Sequence, residues 1–115
     1  MKILALCAHT DDAEIGCGGT LNRYIREGNE VHCVAFSRAS SHPPFAPDEA
    51  GEEMFKAAKI LGIPEENVKL YDFSVRKLGY DRQDILEEMI FLRNRIDPDL
   101  VFLPCKDDFH QDHIT

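Results

Sequence analysis

Two short polar clusters hold the residues of this chain whose types and spacing suit chemistry: His9-Thr10-Asp11-Asp12 and His110-Gln111-Asp112-His113. His9 and Asp12 stand three apart at the entrance to a helix, so their side chains share one side of it. Asp11 is rotated from Asp12 by roughly a third of a turn. One carboxylate is placed to hold a cation while its neighbour is left to handle protons. His110 and His113 are also three apart, in a loop just after a strand. One of these imidazoles is placed to ligate a metal, and the other to sit at the rim as a hydrogen-bond donor or acid. Asp112 is suited to holding an imidazole N–H and fixing its tautomer.

Together the clusters offer two histidines and one carboxylate, which leaves coordination positions open for water and substrate. That is the arrangement of a catalytic metal rather than a structural one. Zn²⁺ in such a site lowers the pKa of bound water to roughly 7, with Fe²⁺ or another divalent ion as the alternative. Asp11 is the candidate general base. His110 is the candidate for steadying an oxyanion or protonating a leaving amine. Plainer roles compete. An aspartate or Thr10 capping a helix explains one residue of the first cluster but not the histidine. The second cluster taken alone is indistinguishable from an exposed polar tail.

What must position these clusters is legible in the hydropathy pattern. Residues 2–8, 30–36, 67–73 and 99–104 form short apolar runs of the kind buried on both faces of a sheet. Between them, residues 12–27, 48–61 and 82–96 carry apolar stripes at three- and four-residue spacing, ended by Gly28, Gly62 and Pro98. The alternation β-α-β-α-β-α-β predicts an α/β, Rossmann-like parallel sheet of order 3-2-1-4 flanked by helices. In that order the first and fourth strands adjoin at the switch point, and the two clusters follow those strands. A hundred residues of separation would then become contact.

Composition limits the alternatives. A chain of 115 residues suits one domain, residues 1–115, with one modest core. The net charge of −8 disfavours a nucleic-acid partner, which needs clustered Lys and Arg. No apolar run approaches the ~20 residues of a membrane span, and the start lacks the features of a secretory leader, so a cytoplasmic protein is expected. An assembly of identical copies stays open. Cys7, Cys17, Cys33 and Cys105 include no C-x-x-C pair and are expected to be buried reduced thiols. His32 and His42 are expected to be structural or exposed. Gly16-Cys17-Gly18-Gly19 inside the first helix costs about 1 kcal/mol per glycine, which implies close approach of backbone to the site or tight helix–sheet packing. A dinucleotide fingerprint is misplaced here, and no P-loop lysine follows the glycines.

The string Ala8-His9-Thr10-Asp11-Asp12 followed by Gly16-Cys17-Gly18-Gly19-Thr20 closely resembles the first signature of the PIG-L/LmbE-like deacetylases. His110-Gln111-Asp112-His113 resembles their second signature, and Glu53–Gly62 their second helix. The resemblance implies a Rossmann-like fold and metal-dependent removal of N-acetyl groups from small glucosamine-type sugars or their conjugates. It implies His9, Asp12 and His113 as metal ligands, Asp11 as base, His110 as second catalytic residue and Asp112 as its orienting partner. Thr10 stands for a common proline. Ala50 stands where an arginine is frequent, with Arg38 as a substitute. Family members continue past the second signature, so the expectation is the N-terminal part of a longer domain, incomplete at the C-terminus. The rival expectations are an inactive fragment or binding domain that keeps the fold, and a non-haem Fe(II) oxygenase with the same ligand set.

Overall fold

The computed structural model describes residues 1–38 and 49–115. Its first strand, β1 (Lys2–His9), is apolar on both faces because both are covered. Ile3, Ala5 and Cys7 point to one side, Leu4, Leu6 and Ala8 to the other, and all six are buried. β2 (Glu30–Ser37) lies beside it in parallel, in register from Lys2↔Glu30 to His9↔Ser37. β3 (Val68–Leu70) adds to the outer side of β2, and β4 (Leu100–Phe102) to the other side of β1. The sheet is parallel with order β3-β2-β1-β4, as the alternation predicted.

Helices α1 (Asp12–Arg26) and α2 (Glu49–Leu61) cover the Ile3 face, where Leu21, Met54 and Ala58 are buried. Helix α3 (Arg82–Ile96) covers the other face through Ile85, Leu92 and Ile96, with Met89 beside them. Leu21 has no exposed surface, so truncating it to alanine costs about 2–5 kcal/mol. α2 stops at Gly62, whose φ of 94° a side chain would resist. α3 ends on Asp97 at φ 52°, a left-handed position that Asp tolerates better than most residues, just before Pro98.

Three elements differ from the pattern-based expectation. β4 covers Leu100–Phe102 rather than 99–104, because Pro104 has no N–H to give a ladder. β3 is likewise shorter than 67–73. A 3₁₀ turn (Glu65–Asn67) takes up its start, and beyond Leu70 the chain follows β2 by single bonds, Tyr71 N–H to Ala35 and Phe73 N–H to Phe36. The stretch expected as a polar tail folds at Gln111–Ile114 into one helical turn, α4. Among the described residues, no helix is long and apolar enough to cross a membrane.

Candidate metal centre

His9 is the last residue of β1 and Asp12 the first of α1, so a two-residue turn separates them. Asp12 folds back over that turn, its Oδ2 accepting the His9 backbone N–H at 2.9 Å. Beyond β4 the chain passes Asp108 and reaches His110, which caps α4: its Nδ1 accepts the Asp112 backbone N–H at 3.1 Å. Because β4 adjoins β1, α4 comes to rest against the end of β1.

Three side-chain atoms converge there. His113 Nε2 lies 3.2 Å from Asp12 Oδ2 and 3.3 Å from His9 Nδ1, and the third edge, His9 Nδ1 to Asp12 Oδ2, is 3.7 Å. Ligand bonds of ~2.0–2.1 Å to a tetrahedral ion separate the ligand atoms by about 3.3 Å. The triangle has that size.

The second nitrogen of each ring meets a carboxylate. His9 Nε2 donates to Asp112 Oδ2 at 2.8 Å, and His113 Nδ1 donates to Asp108 Oδ2 at 2.9 Å. An ionised carboxylate only accepts, so these nitrogens carry protons, and in a neutral ring the inward nitrogen then presents its lone pair. Two lone pairs and a carboxylate oxygen this close repel one another unless a cation lies among them. The donor set fits a divalent metal. His110 stands beside the triangle, its ring centroid 4.6 Å from that of His9 and 4.8 Å from that of His113. A ring nitrogen of His110 also lies within 4.8 Å of nitrogens of His9 and His113, so these three offer another ligand set. The Asp112 N–H engages Nδ1 of His110, which leaves the proton of its neutral ring on Nε2, as a donor. The tighter triangle with Asp12 is the better cation seat.

Asp112 has no exposed side-chain surface. Burial pushes its carboxyl up, but the bonds from His9 and from the N–H groups of Arg76 (2.6 Å) and Leu78 (3.2 Å) outweigh that and hold it below the ordinary value. The sequence reading made Asp112 the partner of His110. The structure turns its carboxylate to His9 instead, because two positions along a helical turn place side chains nearly opposite one another. Asp108 is held low by the His110 backbone N–H first and by His113 second. Burial, and the charges of Asp11 and Asp12 with it, raise Glu14.

Asp11 is exposed at the N-cap of α1, and its side chain makes no capping bond, so helix capping does not account for it. Asp108 went unread in the sequence. Its signal was a carboxylate five residues ahead of His113, a spacing with no regular-helix meaning. The glycines are not explained by tight helix–sheet packing, although Gly16 lines the cavity that Asp12, Asp108 and His113 share. A Cβ on Gly18 would meet Leu61 of α2, and nothing lies within 4 Å of one on Gly16 or Gly19. The helix instead kinks at Cys17 (φ −146°). His32 pairs with Glu30 at 2.9 Å, and His42 lies outside the described residues. Arg38 Nε lies 3.9 Å from Asp72. All four thiols are free, but only Cys7 and Cys33 are buried. Cys17 is half-buried, and Cys105, just past the run expected as the fourth strand, is exposed.

Residues 4–115 match the family model described as PIG-L, GlcNAc-PI de-N-acetylase. An Escherichia coli K12 protein described as the uncharacterized deacetylase YaiS is 32% identical over 118 residues, covering 98% of this chain and 62% of that protein. The conserved protein TT1542 of Thermus thermophilus superposes with a TM-score of 0.83 at 32% identity, over 97% of this chain and 50% of its own. N,N'-diacetylchitobiose deacetylase of Pyrococcus horikoshii gives 0.78 at 26% identity, over 97% and 45%. The chain spans about half the length of these solved relatives. With its fold, both polar clusters and nearly all its residues accounted for in this way, the chain belongs to the PIG-L family.

Proposed function

We propose that this chain carries the catalytic site of a metal-dependent N-deacetylase acting on a small N-acetylated sugar or sugar conjugate. The observation that carries the reading is the triangle of His9 Nδ1, Asp12 Oδ2 and His113 Nε2 with edges of 3.2, 3.3 and 3.7 Å. His9, Asp12 and His113 would hold the ion, Zn²⁺ or Fe²⁺, through these atoms. When bound, such an ion supplies Lewis-acid polarisation and an acidified water near neutral pH.

The chain's own groups do the rest. Asp11, outside the triangle and uncommitted to the helix end, takes a proton from the attacking water. His110 Nε2–H donates to the carbonyl oxygen as that atom gains charge. Asp112 and Asp108 keep the two ligand rings in the tautomers that face the ion. Water adds to the acetamide carbon and the C–N bond breaks, so acetate and a free amine leave. The proton held by Asp11 passes to the amine.

The alternative reading is a site that holds metal without turnover, for which the same triangle suffices. Metal content measured alongside acetate release from a panel of N-acetylglucosamine conjugates tests both. One metal per chain with acetate release is expected. Bound metal with no release from any conjugate supports the second reading, and absence of metal after zinc loading removes both.

A further inference from the structure

Arg76 occupies a position that its residue type resists. Lys77 N–H bonds the Ser74 carbonyl at 3.1 Å, so residues 74–77 form a β-turn, and Arg76 stands third in it at φ 65°. That left-handed place in a turn favours glycine or asparagine, because a Cβ there crowds the neighbouring backbone. Among the described residues the other non-glycine with positive φ is Asp97, which terminates α3. Arg76 terminates no helix, and an outlier of this kind points to a function.

The backbone of Arg76 shows how the conformation is held. One oxygen of Asp112, Oδ2, takes the Arg76 N–H at 2.6 Å and the His9 Nε2–H at 2.8 Å. The Arg76 carbonyl takes the side-chain amide of Gln111. The turn is thereby pinned to α4, next to one ring of the metal triangle. A glycine would make both bonds without strain, since they use only the backbone of residue 76. What glycine lacks is the guanidinium. That group is exposed and, among the described residues, has no hydrogen bond or ion pair, and neither has the ammonium of Lys77 beside it. No contact of the side chain among the described residues offsets the strain, so its partner is a molecule that binds.

We propose that Arg76 is a specificity-determining residue of the site, its guanidinium gripping a carboxylate or phosphate carried by the sugar conjugate beyond the acetamide. The assignment rests on the deacetylase reading above. A planar, permanently charged fork pairs with either acid through two parallel hydrogen bonds, which a neutral aglycone cannot match. In a chain of net charge −8, two adjacent unpaired cations also give an acidic substituent one place to be drawn to. Because the backbone of Arg76 is fixed on both sides, only the side chain is left to order when substrate arrives.

The test compares N-acetylglucosamine 1-phosphate, a carboxymethyl glycoside of N-acetylglucosamine and the neutral methyl glycoside. In metal-free wild type, calorimetry should show at least one acidic probe binding about 10-fold more tightly than the neutral one. In the zinc-loaded protein kcat/KM should favour the same probe, through KM. The probe preferred separates carboxylate from phosphate. Arg76→Gly keeps both backbone bonds and relieves the turn, so it should melt at or above the wild-type temperature and yet lose the preference. Arg76→Lys, which keeps the charge, should retain part of it. Equal binding and turnover of the three probes by wild type overturns the proposal and leaves the deacetylase reading standing. A preference that survives in Arg76→Gly, or a melting temperature that falls there, also overturns it. Acetate release from none of the probes removes both. If Arg76→Gly does not fold, Arg76→Gln decides by the same preference: lost, it supports the grip, and kept, it overturns it.

Discussion

Asp112 Oδ2 takes the Nε2–H of His9 at 2.8 Å across 103 positions of sequence, and the same buried carboxylate takes the N–H groups of Arg76 and Leu78. It ties β1 to the loop ahead of α3, where Arg76 sits at the unusual φ of 65°. Asp112→Ala leaves three donors without an acceptor and should cost about 3–5 kcal/mol. Urea unfolding of the metal-free protein measures it, and a loss below about 1 kcal/mol would contradict the role.

Asp108 acts on His113 without the same burial, since a third of its side chain is exposed. Asp108→Ala should leave the urea midpoint nearly unchanged while weakening zinc binding by about 10–100-fold. A competitive chelator titration checks the affinity. Equal affinity in the two proteins would mean that His113 needs no carboxylate to present Nε2.

Asp11→Asn should keep metal at the wild-type level, because Asp11 lies outside the triangle, and lower acetate release by about 10²–10⁴-fold. Elemental analysis and acetate assay on one preparation separate the two effects. Unchanged release would remove Asp11 as base. His113→Ala, by contrast, should lose the metal itself.

Tyr71 offers a pH dependence away from the metal centre. It stacks on Phe36 at 5.4 Å and donates to Glu88 Oε2 at 2.8 Å. Burial first, then the bond to Glu88 and its charge, raise the phenol above its ordinary 10. A group whose folded pKa is raised contributes stability that is intact below the unfolded value and lost as pH climbs past it. Wild-type stability should therefore fall more steeply above pH 10 than that of Tyr71→Phe. Thermal melts across that range test it, and parallel slopes would count against the effect.

The sequence made the sheet order legible because apolar runs and helical stripes alternated cleanly, and that order alone brought the two clusters together. Their internal wiring was not legible. The partner of Asp112 depended on α4, a single turn too short to show periodicity. Asp108 lay in irregular chain, where spacing says nothing about contact. The ends of β3 and β4 depended on neighbours and on Pro104, which hydropathy does not weigh.

His9 and His113 are 104 positions apart in sequence, so no short peptide can assemble the three. A cation seated by them fastens a loop of about a hundred residues, and in the unfolded chain that seat does not exist. Metal loading would then be linked to folding. At an ion concentration 100-fold above its dissociation constant the folded state gains about 2.7 kcal/mol, and a chelator would be felt first as a lower melting temperature.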